Sequence, residues 1–216
     1  MSSRQAIANT HPTKAYISYI STTRVLELLH MDLFGPTTYK NLGGNLYYLM
    51  IVDDYSRYTW VFFLHDKTKV AAYFKKFAKR AQNEFKVKLK KIRSDNGKEF
   101  DNTNIEAYCD EVGIKHEVSV TYTPQQNGVL ERKNQTLITL ARPMLDEYNT
   151  PQDLWAEAIN TTCYASNHLF LQKFLGKTPY ELLNGKKRRR LILLGVWMQM
   201  LHLQEASTPR KVSKTL

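Results

Sequence analysis

Three acidic residues stand where carboxylate chemistry could assemble: Asp32, Asp95 and Glu131. Asp32 falls inside an apolar run, residues 25–33, that reads as a buried strand stopped by Gly35-Pro36. Asp95 follows a second extended run, residues 87–92, within Arg93-Ser94-Asp95-Asn96-Gly97. Glu131 lies near the start of a helical segment, where the helix dipole favours negative charge. An acid on a first, central strand can converge with one at the end of an adjacent strand, and a helix start can bring the third. Converging carboxylates repel one another unless a cation neutralises them. Small, hard Mg²⁺ suits oxygen ligands and shares its shell with water and phosphate. Two such ions about 3.5–4 Å apart serve in-line phosphoryl transfer. Each acid also has an ordinary role, Asp as a turn residue and Glu as a capping aid. Pattern alone does not prefer Asp32 over Asp53 or Asp54.

The elements that must position these acids follow from periodicity. Residues 46–52 and 59–64 are rich in β-branched and aromatic side chains, and Asp53-Asp54-Tyr55-Ser56-Arg57 between them has turn chemistry, which predicts an antiparallel hairpin. From Val70 the period becomes helical: Val70, Phe74, Phe77, Ala78, Ala81 and Phe85 share one face, and Lys75, Lys76, Lys79 and Arg80 take the other. A strand at 87–92, a helix at 104–112 closed by Gly113, and a strand at 114–122 come next. The remainder is helical. Thr150-Pro151-Gln152-Asp153 and Thr178-Pro179-Tyr180-Glu181 each place a capping Thr before Pro, with an acid at the third helical position. The helix bearing Glu131 has two possible starts, Pro124 by its capping pattern or a point after the Asn127-Gly128 turn signal. The order predicts an α/β mixed sheet with helices packed on its faces.

Composition narrows the function classes. The chain has 216 residues, 43% hydrophobic and 24% charged, which fits one domain with appendages. No apolar run approaches the roughly 20 residues of a bilayer span, and residues 1–14 lack the apolar stretch of a secretory signal, so no membrane partner is expected. Thirty-one Lys and Arg oppose 20 Asp and Glu, for a net charge of +11. Residues 66–98 alone hold twelve basic and three acidic side chains, a bias that fits either a polyanion partner or a solvated helix face. Cys109 and Cys163 are expected as buried thiols, and no Cys/His spacing builds a zinc site.

Five segments carry a resemblance. LLHMDLFGP (28–36), IVDDYSRYTW (51–60), IRSDNGKEF (92–100), YTPQQNGVLERKN (122–134) and LWAEAIN (154–160) are similar, in order and with short gaps, to the integrase catalytic core of copia-type retrotransposon polyproteins. Thirty-five residues lie between Asp95 and Glu131, the spacing of that family's Asp-Asp-Glu triad. The resemblance implies a ribonuclease-H-like fold, a five-stranded mixed sheet flanked by helices. It implies Asp32, Asp95 and Glu131 as catalytic residues and as ligands of two Mg²⁺ (or Mn²⁺) ions. Asp53 and Asp54 then return to the hairpin turn. Further implications are 3′-end processing and strand transfer of element DNA, DNA as partner and, from that substrate, nuclear residence. Gln125, Gln126, Asn127, Arg132 and Lys133 become nucleic-acid contacts. A homo-oligomer stays open.

The resemblance spans about residues 21–187, leaving 1–20 as a leader and 188–216 as a tail outside the family pattern. No cysteine precedes Cys109, so the upstream His/Cys zinc module of the family is not expected here. Arg188-Arg189-Arg190 and the segment after it read as a truncated or frame-altered end, or the basic run as a nuclear-localisation signal. Pro143 sits inside the helix descending from Glu131, where an interior proline costs about 3 kcal/mol. The competing readings are a decayed fragment that only binds nucleic acid and a general nuclease that cleaves without joining.

Overall fold

A computed structural model describes residues 20–95, 97, 100, 103–119, 124–146, 150–172 and 175–186. The leader up to residue 19 and the tail from residue 187 lie outside the described residues. Among the described residues, the strands and α-helices follow in chain order as β1 (Leu28–Phe34), β2 (Tyr47–Asp53), β3 (Thr59–Leu64), α1 (Val70–Phe85), β4 (Lys91–Ser94), α2 (Thr103–Val112), β5 (Lys115–Val118), α3 (Pro124–Asp146), α4 (Trp155–Leu169) and α5 (Pro179–Asn184). The strands form one five-stranded sheet in the order β3-β2-β1-β4-β5. β1 pairs antiparallel with β2 and parallel with β4, and β4 pairs parallel with β5. The expected mixed sheet is therefore present, with β1 at its centre.

Alternation along β1 and β2 divides the interior in two. Leu29, Met31, Leu49 and Ile51 meet Phe74, Ala78, Ile105 and Cys109, from α1 and α2. Tyr48, Met50 and Val52 meet Leu130, Leu137 and Ala141 of α3 and Trp155, Ile159 and Cys163 of α4 on the opposite face. The two buried thiols thus sit on opposite sides of the sheet.

Several boundaries differ from expectation for local reasons. β1 starts at Leu28 rather than residue 25 because Leu26 takes a left-handed conformation, φ 57°, with its N–H donating to Asp53 Oδ1 at 2.8 Å. β4 is displaced to Lys91–Ser94, since its ladder begins where β1 does, at Leu28↔Lys91. Before that point Leu89 N donates to the Gln82 side chain and Lys90 N to Leu26 O. The strand expected at 114–122 is β5, Lys115–Val118. Gly35 ends the excursion of β1 with φ 122°, and a Cβ there would lie 2.6 Å from Leu46 O, so only glycine fits.

The Thr178 capping box forms as expected, with Thr178 Oγ1 accepting from Glu181 N. The one expected at Thr150 does not. Its backbone N–H instead donates to Leu145 O at 2.9 Å, closing the end of α3, and Pro151 precedes a single 3₁₀ turn. Pro143 remains within α3, only three residues from its end. At the β3 edge, Asn167 of α4 replaces a missing strand: its side chain accepts from Thr59 N at 2.9 Å and donates to Thr59 O at 2.7 Å.

Asn167 is 2% exposed, so Asn167→Ala leaves the buried Thr59 N–H unpaired and the Thr59 carbonyl with the weaker Cys163 thiol as its donor. The expected loss is about 1–3 kcal/mol of unfolding free energy, read as a lower urea midpoint.

Candidate functional site

Asp32 lies on β1 opposite Met50 of β2, so it faces the side of the sheet covered by α3 and α4. Its Oδ1 accepts the Leu33 N–H at 2.8 Å. Asp95 directly follows β4. The β1–β4 register pairs each β1 residue with one 63 positions later, from Leu28↔Lys91 to His30↔Arg93, and the same offset carries Asp32 to Asp95. Asp95 Oδ1 accepts the Gly97 N–H at 3.1 Å, folding the carboxylate over its own turn. Continued two residues past the ladder, the register thus puts the two acids level with each other, Asp32 within β1 and Asp95 just beyond β4.

Glu131 is exposed on α3, beside buried Leu130. One helical turn further, Asn134 Oδ1 accepts the Tyr48 hydroxyl, which ties α3 to β2. Burial, and after it the negative charge of Asp32, push the Tyr48 phenol well above its usual range. Asp32, Tyr48, Asn134 and Glu131 therefore follow one another across the seam between sheet and helix. Among the described residues, no three His, Cys, Asp or Glu side chains are grouped closely enough to hold a metal ion, and Glu131 is not gathered with the two aspartates. The donor set itself, three carboxylates and no sulfur or imidazole, has the chemistry of a hard divalent cation.

The five expected nucleic-acid contacts fare differently. α3 starts at Pro124 and runs through Asn127-Gly128 without a turn, so Gln125, Gln126 and Asn127 belong to its first turn, with side chains outside the described residues. Arg132 is exposed and folds back over Gly128, its guanidinium 3.5 Å from where a Cβ would stand. Lys133 departs from expectation. Its Nζ donates to Ser166 Oγ of α4 at 3.3 Å, and Ser166 is 1% exposed, so the ammonium points into the α3–α4 seam and away from solvent phosphate. Burial pushes the Lys133 ammonium down to about 8, and the positive charge of Arg57 acts in the same direction.

Asp53 and Asp54 have a larger part than turn residues. Asp53, fully buried, accepts Leu26 N, Ser56 N and Ser56 Oγ. Asp54 accepts from Ser21 N, Ser21 Oγ and Thr22 Oγ1 on one oxygen and meets His30 Nε2 and Arg57 Nη1, each at 3.0 Å, on the other. Burial opposes ionisation of Asp54, yet His30, Arg57 and Ser21 outweigh it and hold the carboxyl far below its usual range. These acids are saturated by protein donors.

Residues 22–124 match the family model described as integrase core domain. The chain carries an integrase core domain. The retrovirus-related Pol polyprotein from transposon TNT 1-94 of Nicotiana tabacum is 42% identical over 143 residues, covering 66% of this chain and 11% of the polyprotein. The corresponding polyprotein from transposon RE1 of Arabidopsis thaliana is 30% identical over 168 residues, 78% of this chain and 11% of its own length. The chain thus spans about a tenth of these copia-type relatives. Two solved structures share the fold. A simian T-cell lymphotropic virus intasome chain has a TM-score of 0.58 at 21% identity, over 78% of this chain and 56% of that one. The HTLV-2 integrase catalytic core domain, described in complex with magnesium, has a TM-score of 0.54 at 23% identity, over 74% of this chain and 98% of that one. The integrase core here accordingly has the ribonuclease-H-like fold.

The buried ammonium gives a pH signature. A folded-state value of about 8 against 10.5 means that the unfolded chain binds more protons between those pH values, so stability rises with pH across that window. Lys133→Met is expected to be the more stable form at pH 7, by at most about 3 kcal/mol. Its advantage should shrink as pH rises from about 8 towards 10.5, measured by urea unfolding at several pH values.

Proposed function

We propose that this integrase core performs divalent-metal-dependent polynucleotidyl transfer on DNA, with Asp32, Asp95 and Glu131 as its catalytic carboxylates. The observation that carries this reading is the β1–β4 register, whose offset, continued beyond His30↔Arg93, brings Asp32 level with Asp95. The Tyr48–Asn134 hydrogen bond supports it further, by holding the helix of Glu131 over the face that Asp32 addresses. Bound Mg²⁺ or Mn²⁺ would supply activation of the attacking oxygen and stabilisation of the leaving one.

The chain's own groups do the rest. Asp32 and Asp95 provide oxygens from the rigid sheet, and Glu131 provides its carboxylate from the exposed side of α3. Arg132, exposed one residue on, meets a phosphate in this reading, and Gln125, Gln126 and Asn127 are its further contacts to nucleic acid. Substrates of the reading are element DNA ends, trimmed with water and then joined to a target duplex through their 3′-hydroxyls. The trimeric form described for the HTLV-2 core supports assembly into oligomers, and a DNA substrate supports work in the nucleus.

Incubation of the chain with labelled duplex ends in Mg²⁺ or Mn²⁺, with nicking and joining scored separately, tests the proposal. Asp95→Asn is expected to lower both by about a hundredfold or more, since each carboxylate secures several kcal/mol of charge stabilisation. DNA affinity should be nearly unchanged. Equal inertness of wild type and variant, or activity surviving in both, overturns it.

A further inference from the structure

Among the described residues, exposed basic side chains also gather on a helix away from the candidate site. α1 packs on the sheet face opposite to α3 and α4, through Val70, Phe74, Phe77, Ala78 and Ala81. Lys69, which caps the helix, and Lys76, Lys79 and Arg80 are all exposed and recur at intervals of seven, three and one. At about 100° per residue they fall on one stripe directly opposite the buried one. From Lys69 to Arg80 the stripe runs about 16 Å at 1.5 Å per residue. Lys86 and Lys88, also exposed, extend it past the helix end.

Basic side chains on this protein usually find acids where acids are near. Lys90 meets Glu27, and Lys91, Arg93 and Lys115 share Glu117. Among the described residues, Lys76, Lys79, Arg80, Lys86 and Lys88 have no such partner within ion-pair reach, and α1 holds one acid, Glu84. A stripe of like charge opposes pairing with a second copy of itself, because a two-fold interface would set the cations face to face.

We propose that the outer face of α1, with Lys86 and Lys88, is a second DNA-binding surface that grips the phosphate backbone of a duplex without reading sequence. It lies across the sheet from Asp32, so one chain meets two separate stretches of nucleic acid, or one stretch that bends around it. The inference stands on α1 and the residues flanking it, and uses neither metal nor chemistry. It therefore survives or fails independently of the proposed strand transfer.

The test is fluorescence anisotropy of a labelled, random-sequence DNA duplex with the full chain, in EDTA, across a salt series. The probe variant is Lys76→Glu with Lys79→Glu and Arg80→Glu; a Gln version of the same three positions removes charge without reversing it. All three side chains are exposed, and thermal unfolding checks that the fold is kept. The expected result is at least a tenfold weaker affinity for the Glu variant. The Gln variant should flatten the salt slope by about 2 to 3, near 0.9 per lost phosphate contact. Arg132→Gln, on the other face, should leave the contribution of α1 intact. Unchanged affinity and slope in both triple variants overturn the proposal, as does a loss confined to Arg132→Gln. Weakened binding of an RNA hairpin with duplex DNA unaffected, or altered sedimentation with DNA affinity unaltered, also overturns it.

Discussion

The position of β1 depends on two carboxylates buried at the β2–β3 turn. Asp53 holds the backbone N–H of Leu26 and both donors of Ser56, and Asp54 gathers Ser21, Thr22, His30 and Arg57. Charges taken this far from water are stable only when their oxygens are satisfied, and breaking such a pair costs about 3–5 kcal/mol. Satisfying them fixes where the chain enters the sheet and hence the register Leu29↔Asp53 through Phe34↔Tyr48. A slip of one residue would turn every β1 side chain to the other face and send Asp32 towards α1. Acids outside the proposed chemistry are thus the ones that aim it.

The two sides of the sheet are then free to differ. One joins α1 and α2 to the sheet by aliphatic and aromatic packing, with Trp60 and Phe62 meeting Phe77 edge-on. The other joins α3 and α4 by packing mixed with polar ties: Tyr48 to Asn134, Lys133 to Ser166, Trp155 Nε1 to Tyr39 O. Polar ties specify geometry more narrowly than apolar contact does. Their concentration on the side of Asp32 and Glu131 suits a site that needs groups held at set positions.

Much of this was legible in the sequence. The limits of β3 and α1 match expectation to the residue, because a β-branched and aromatic run after turn residues marks the one and a strong 3.6-residue repeat the other. Most of what failed depended on partners distant in sequence. The strand expected at 87–92 has the right alternation, but its ladder waits for β1, which waits for Leu26 and Asp53. Thr150 carries a helix-start pattern, yet its N–H closes the preceding helix. Lys133 reads as a phosphate contact beside Arg132, while helical geometry turns it about 100° further, into α4. Asp53 and Asp54 look like turn residues because hydrogen bonds to residues more than 20 positions away leave no local trace.

An open sheet has two outer strands, each with a row of backbone groups able to recruit a foreign chain. In this protein they are guarded unequally. On β3 the Asn167 amide already occupies the outward groups of Thr59, so an incoming strand would have to displace a buried side chain. On β5 the deterrent is brevity and charge, four residues opening with exposed Lys115. Self-templated polymerisation, the hazard of such margins, is opposed at one end by substitution and at the other by a strand too short and too polar to template one.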